Sequence, residues 1–161
     1  VQAALTGHLV LSTLHTNDAP SAVTRLMDLG APPYLLNATL LGVIAQRLVR
    51  RVCSSCKEAT EAPLGALINA GFSEKDAKTV RLFKGRGCDR CSNTGYKGRV
   101  GLYEVMEIGD EIRELILSGA SSVELRTKAI ETGMLSLRGS GLQKIREGVT
   151  TVEEVVRETV Q

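Results

Sequence analysis

A chain of 161 residues, 43% hydrophobic and 24% charged, is one domain or a domain with a small appendage, and it is long enough to bury a core. A net charge of +2 with 3% aromatic residues argues against nucleic acid as a partner, because single-strand readers need a basic groove and stacking rings. No apolar run is long enough to span a bilayer, and the opening "VQAALTGHLV" has neither a starting Met nor a leader pattern, so a piece of a longer polypeptide is expected.

Residues 1–52 read as α/β material. "LVLSTL", residues 9–14, is a short apolar run of β-compatible residues and predicts a buried strand. "HTNDAP" follows, with Asn17 and Asp18 as cap candidates and Pro20 in the first turn of a helix reaching about Leu29, stopped by Gly30. Pro32 and Pro33 punctuate, and a long apolar helix is predicted from Tyr34 through "LLNATLLGVIAQRLVRR". His8 opens the predicted strand and His15 lies just past its end, so regular strand geometry separates them by ~23 Å and forbids a shared small ion. His15 stands at the carboxyl end, where open α/β sheets bind ligands, and Thr16, Asn17 and Asp18 beside it can reach a phosphate or its water. For each histidine the competing reading is a hydrogen-bonded structural role.

Residues 53–99 hold all four cysteines, in two C-x-x-C pairs, "CSSC" and "CDRC". Buried small hydrophobes do not explain that pairing. A redox or disulfide site is weakened by the second pair and by the lack of a secretory signal. A tetrahedral metal site explains it best: each pair offers two thiolates from one tight turn, and two turns close a zinc shell at ~2.3 Å per bond, with no position left for catalysis. Arg50, Arg51, Lys57, Arg86 and Arg90 flank the ligands and can offset the negative charge of such a shell, while Gly87 and Gly95 supply tight backbone. The 31 residues between Cys56 and Cys88 form their own small subdomain, with weak helical stretches at "PLGALINAG" and "SEKDAKTVRLF". They carry few large apolar groups, so metal binding is expected to supply much of their folding energy and to hold residues 48–52 against residues 97–103.

Residues 100–161 open with "VGLYEVMEI", an alternating run that predicts a strand, and continue as helices. "DEIRELILSG" has Asp110 as cap and Gly119 as stop. "SSVELRTKAIETG" carries a capping box, Ser121 with Glu124, and ends at Gly133. "TTVEEVVRETV" offers Thr151 with Glu154 as a second box and places Val152, Val155, Val156 and Val160 on one face. No G-x-x-x-x-G-K-[ST], H-E-x-x-H or G-x-S-x-G occurs, so the residues alone do not compose an enzyme.

The joint order of "ALTGHLVLSTLHTNDAPSAVTRLMDLG", "AQRLVRRVCSSCK" and "GCDRCSNTGYKGRVGLYEVMEI" resembles the carboxyl-terminal part of the type II secretion and type IV pilus assembly ATPases, over nearly the whole chain. The resemblance implies an α/β fragment of a RecA-like P-loop ATPase domain, with an inserted tetracysteine zinc subdomain and a C-terminal helical region. Residues 1–52 would then end the ATPase core, 53–99 bind zinc, and 100–161 form the returning strand and a helical bundle. It implies a hexameric ring with ATP and Mg²⁺ between subunits, driving pilin or pseudopilin assembly through an inner-membrane platform protein. The location it implies is cytoplasmic, peripheral at the bacterial inner membrane. It carries over His8 and His15 as a histidine box that senses the γ-phosphate or orders the catalytic water, assisted by Thr13. Zinc falls to Cys53, Cys56, Cys88 and Cys91. Arg25, Gln46 and Arg47 match motif positions on the nucleotide side without an assigned role. The family's phosphate loop and acidic boxes do not occur in the chain, so it is expected not to hydrolyse ATP unaided. The cysteines favour the assembly branch over the retraction ATPases. The alternative is an independent zinc-binding adaptor that docks a protein partner: "CDRCSNTGYKGR" is similar to the knuckles of the DnaJ chaperones, but "CSSCKEAT" lacks their glycines.

Overall fold

The structure is a computed structural model and describes residues 1–159. In chain order, α1 (Gln2–Leu5) is a single turn, and residues 8–17 that follow have no regular structure. The strand expected at residues 9–14 is therefore not formed, and Leu9 and Leu11 are 76% and 87% exposed. A strand exists only when its amides find a ladder partner, and among the described residues no strand lies beside this segment. α2 (Ala19–Asp28) is as expected, with Asp18 at its cap accepting the Ser21 N–H at 2.8 Å and Pro20 in its first turn.

The predicted long helix is replaced by two elements. α3 (Pro33–Thr39) stops after seven residues, and Gly42–Val52 is a strand, β1. Val43, Ala45, Arg47 and Val49 point inward and alternate with exposed neighbours, so the segment has period two as well as an apolar character. Pairing with β4 (below) supplies the hydrogen bonds that a helix would otherwise have to make alone.

β2 (Lys57–Thr60) follows the first cysteine pair, then α4 (Leu64–Ala70) and the short α5 (Glu74–Ala77). β3 (Leu82–Gly85) pairs antiparallel with β2, from Lys57 opposite Gly85 to Thr60 opposite Leu82. The tail of "SEKDAKTVRLF" is thus strand rather than helix. A 3₁₀ turn, Asp89–Cys91, carries the second cysteine pair into β4 (Tyr96–Glu107). β4 pairs with β1.

Four helices complete the described chain. α6 (Asp110–Leu117) takes Gly109, not Asp110, at its cap position, and Asp110 is its first residue. α7 (Ser122–Glu131) has the expected capping box: Ser121 Oγ accepts the Glu124 N–H, and Glu124 Oε2 accepts the Ser121 N–H at 2.8 Å. These bonds hold the Glu124 carboxyl below its ordinary value. α8 (Leu137–Arg146) is followed by α9 (Val152–Glu158), where only half of the second box forms. Thr151 accepts the Glu154 N–H, but the Glu154 side chain is engaged by Arg50 instead. Val155 is buried and Val152 half-buried, Val156 is exposed, and Val160 lies outside the described residues.

The chain gathers into two compact units. The first comprises residues 1–45 and 104–136, and its core joins Ala19, Val23, Leu36, Met106, Ile112, Ile116 and Leu125. The second comprises residues 46–103 with those from Leu137 onward, and its core joins Leu67, Phe72, Leu82, Leu142, Ile145 and Val155.

Candidate metal centre

In the second unit the two cysteine turns face each other. The first, Cys53–Cys56, is closed by the Cys56 N–H donating to the Cys53 carbonyl at 3.3 Å. The second is the 3₁₀ turn, closed by the Cys91 N–H on the Cys88 carbonyl at 3.1 Å. Ser92 and Asn93 then take left-handed backbone with φ of 51° and 58°, and Gly87 and Gly95 bracket the turn at φ 100° and 77°. Backbone bonds just outside the strand ends clasp the turns together: the Cys53 N–H donates to the Gly95 carbonyl, and the Arg86 N–H to the Cys56 carbonyl, each at 2.9 Å. Gly85 and Gly95 pass so closely that a Cβ on Gly85 would overlap the Gly95 carbonyl. Gly85 is a residue that sequence reasoning missed, since a close approach between a strand end and a turn distant in sequence leaves no local signature.

All four sulfurs lie within 4.8 Å of one another. Cys53 and Cys88 are 3.9 Å apart, Cys56 and Cys91 3.8 Å, and Cys88 and Cys91 3.7 Å. Four sulfurs at the corners of a tetrahedron, each ~2.3 Å from a central zinc, stand ~3.8 Å apart along its edges. The separations therefore fit a four-thiolate metal shell, and all four cysteines are free thiols rather than disulfides. Backbone amides already point at the sulfur atoms: the Gly87 N–H donates to Cys56 Sγ and the Cys88 N–H to Cys91 Sγ, both at 3.3 Å. Such bonds favour thiolate over thiol.

The protonation of the cluster is uneven. A backbone bond from Ser55 holds Cys53 below the ordinary thiol value. Burial pushes Cys56 up to about 12. Burial also pushes on Cys91, but backbone bonds from Cys88 and Gly95 and the neighbouring thiols outweigh it and hold that group at about 6. A dication at the centre would deprotonate the whole set.

Of the five cations expected around this centre, three are engaged in the second unit. Arg50 reaches Glu154 and stacks over Tyr96 at 4.2 Å, Lys57 covers Phe83 at 4.2 Å, and Arg90 Nη1 lies 3.4 Å from Ser55 Oγ beside the first turn.

The histidine segment belongs to the first unit. His15 and Arg25 line one open depression together with Asn17, Asp18 and Ser21 at the start of α2. Asp18 Oδ2 is also paired with Arg126 from α7. His8 is elsewhere: its Nδ1 lies 3.0 Å from Thr6 Oγ1 and 3.2 Å from the Ala3 carbonyl, and the residue is exposed. Thr13 is exposed in the irregular segment. Gln46, in the second unit, donates from Nε2 to the Tyr103 hydroxyl at 3.1 Å, and Arg47 lies half-buried on β1. The geometry thus brings His15 and Arg25 together.

Comparison with known proteins places this geometry in context. A family model described as "Type II/IV secretion system protein" matches residues 1–157. The type IV pilus assembly ATPase PilB of Myxococcus xanthus is 51% identical over 160 residues, covering 99% of this chain and 28% of that protein. PilB of Thermus thermophilus is 48% identical over 160 residues, covering 99% of this chain and 18% of that protein. The type II secretion system ATPase E of Vibrio cholerae is 46% identical over 159 residues, covering 99% and 31% respectively. The chain thus spans less than a third of the length of these curated relatives.

Proposed function

Since this chain belongs to the type II/IV secretion system protein family, we propose that it is the carboxyl-terminal part of an ATPase that assembles pilin or pseudopilin subunits. The observation that carries the reading is its similarity, along 99% of its length, to ATPases named for pilus assembly and type II secretion. The parent is read as a RecA-like P-loop protein in a hexameric ring, with Mg²⁺ and ATP between subunits. It works against an inner-membrane platform protein from the cytoplasmic side. Residues 1–52 then complete the ATPase core, 53–99 are the zinc subdomain, and 100–161 return a strand and pack the terminal helices. No G-x-x-x-x-G-K-[ST] occurs in residues 1–161, so this part does not turn over ATP by itself.

Zinc is read as the metal, held by Cys53, Cys56, Cys88 and Cys91, and four thiolates at tetrahedral spacing support that reading. A shell with no open position polarises no substrate, and its contribution is to fold the segment. The protein's own groups prepare that shell: the Gly87 and Cys88 amides orient two of the sulfurs, and the clasp between β2 and β3 brings the turns within reach.

On the nucleotide side, His15 is read as the group that senses the γ-phosphate or orders the attacking water, with Arg25 beside it as a charge stabiliser. Their common depression at the start of α2 supports that reading. His8, Thr13, Gln46 and Arg47 are read as accessory positions of the same family site. In the full-length parent, His15→Ala is expected to lower ATP turnover on the order of 100-fold while leaving the melting temperature unchanged. Unchanged turnover would leave His15 a surface histidine. A parent sequence without a phosphate loop before Val1 would end the motor reading altogether.

A further inference from the structure

β4 alternates strictly at its carboxyl end, with Leu102, Glu104 and Met106 inward and Tyr103, Val105 and Glu107 outward. A carboxylate therefore occupies a core position, while an aromatic and a valine stand in solvent on the other face. Glu104 is 1% exposed. Burying a carboxylate is costly unless hydrogen bonds replace its water, and apolar residues stand at the flanking inward positions 102 and 106. Such an inversion of the strand pattern points to a role beyond packing.

The carboxylate is aimed at the first turn of α2. Glu104 Oε1 accepts the Ala19 N–H at 2.8 Å, a bond spanning 85 residues of sequence. Ala19 is the first helical residue, and its N–H is one of the amides that no intrahelical carbonyl can satisfy. Negative charge is favoured at this end of a helix. Immediately before Ala19 run His15, Thr16, Asn17 and Asp18, which line the depression shared with Arg25. The same short stretch is held at two further points: Thr16 Oγ1 donates to the Asp18 carbonyl at 3.1 Å, and Asp18 pairs with Arg126. His15 itself is exposed and sits in irregular backbone, so the fixed start of α2 is what sets its place.

We propose that Glu104 is a positioning residue for His15: its buried carboxylate pins the Ala19 amide and so fixes the loop that presents the imidazole to the nucleotide. The inference rests on the nucleotide reading of His15 given above. It separates reach from charge. Glu104→Asp keeps the charge but withdraws the oxygen by one methylene, whereas Glu104→Gln keeps an acceptor oxygen at the same reach.

The test is made in the full-length parent, with ATP turnover, KM for ATP and amide exchange at Ala19 and Ser21 measured for Glu104→Asp, Glu104→Gln, Glu104→Ala and His15→Ala. Glu104→Asp is expected to lower kcat on the order of 10- to 100-fold with KM within about twofold of the parent value, and to speed exchange of the Ala19 amide. Glu104→Gln is expected to restore most of both. If His15→Ala is impaired but Glu104→Asp turns over normally, the positioning role is overturned and the nucleotide reading stands. If Glu104→Gln is as slow as Glu104→Asp, the hydrogen-bond account is overturned as well. If His15→Ala turns over normally, the nucleotide reading itself falls, and the positioning role falls with it. Should Glu104→Ala not fold, the Asp and Gln variants decide the matter alone.

Discussion

Glu154 grips Arg50 twice: its Oε1 lies 2.6 Å from the guanidinium Nη2, and its Oε2 accepts the Arg50 backbone N–H at 3.0 Å. The carboxylate is 1% exposed, and Arg157 adds a second cation at 2.9 Å. One side chain at the start of α9 thereby fixes β1 three residues before the first metal-site cysteine. The Thr150 hydroxyl, donating to the Arg50 carbonyl at 2.8 Å, ties the next peptide of the same residue.

This clamp predicts an acid-sensitive step. Burial alone would push the Glu154 carboxyl up, but the two bonds from Arg50 and the charges of Arg50 and Arg157 outweigh it and hold the group below its ordinary value. A carboxyl lowered in the folded state contributes stability that is complete above its unfolded value and is lost as pH falls through the folded one. Glu154→Gln is expected to flatten the acid limb of the stability curve below about pH 4.5, the ordinary value for Glu. Arg50→Ala at neutral pH should cost about 2 kcal/mol. Denaturant titrations across pH check both, and an acid limb identical in Glu154→Gln would show that other carboxylates carry it.

Metal analysis gives the second prediction. Protein purified without added zinc is expected to hold about one zinc per chain. Cys88→Ser, which leaves three thiolates, should lose most of the metal and lower the melting temperature of the second unit. Strong chelation of the wild type should do the same, since a structural four-thiolate site contributes on the order of 10 kcal/mol to folding. Metal-free protein with an unchanged melting curve would show that the cysteines pack as ordinary thiols.

Two glycines separate steric need from helix propensity. A Cβ on Gly85 collides with the Gly95 backbone, so Gly85→Ala must part β3 from the turn that carries the second cysteine pair and is expected to weaken zinc retention under chelator competition. Gly65, in the first turn of α4, has nothing within 4 Å of a built Cβ. Gly65→Ala is expected to stabilise by about 0.5–1 kcal/mol, through helix propensity and a less flexible unfolded chain. Equal effects of the two substitutions on zinc retention would contradict the close-approach account.

Ile116 is fully buried in the core of the first unit, among residues of α2, α6, α7 and the end of β4. Ile116→Ala is expected to destabilise by about 2–5 kcal/mol through the lost burial and the cavity left behind. Bound zinc is expected to stay at the wild-type level, because its ligands all lie in the second unit. Parallel loss of zinc would mean that the two units do not unfold independently.

Some of this was legible from a few neighbouring residues. Asp18 ahead of Pro20 caps α2, and Ser121 with Glu124 closes the box of α7, because both partners of each bond lie within four positions. The C-x-x-C turns read as metal knuckles for the same reason, and "VGLYEVMEI" as a strand from its alternation. The helix expected from Tyr34 gives way to a strand because "GVIAQRLVRRV" is apolar enough for either element, and what decides is a partner strand some fifty residues away. The missing strand at residues 9–14 is the reverse case, a strand-like run beside which no partner lies among the described residues.

Sequence alone thus determined the cap of α2, the box of α7 and the pairing of the four thiols in two turns, since bonds that close within one turn of backbone need no knowledge of the rest of the chain. Only the tertiary structure decided that residues 42–52 extend rather than coil, that Glu154 leaves its own cap for Arg50, and that Glu104 turns inward to the head of α2. In each of these the choice rests on a partner distant in sequence. A buried polar group or an unpaired strand has no favourable state until that partner arrives.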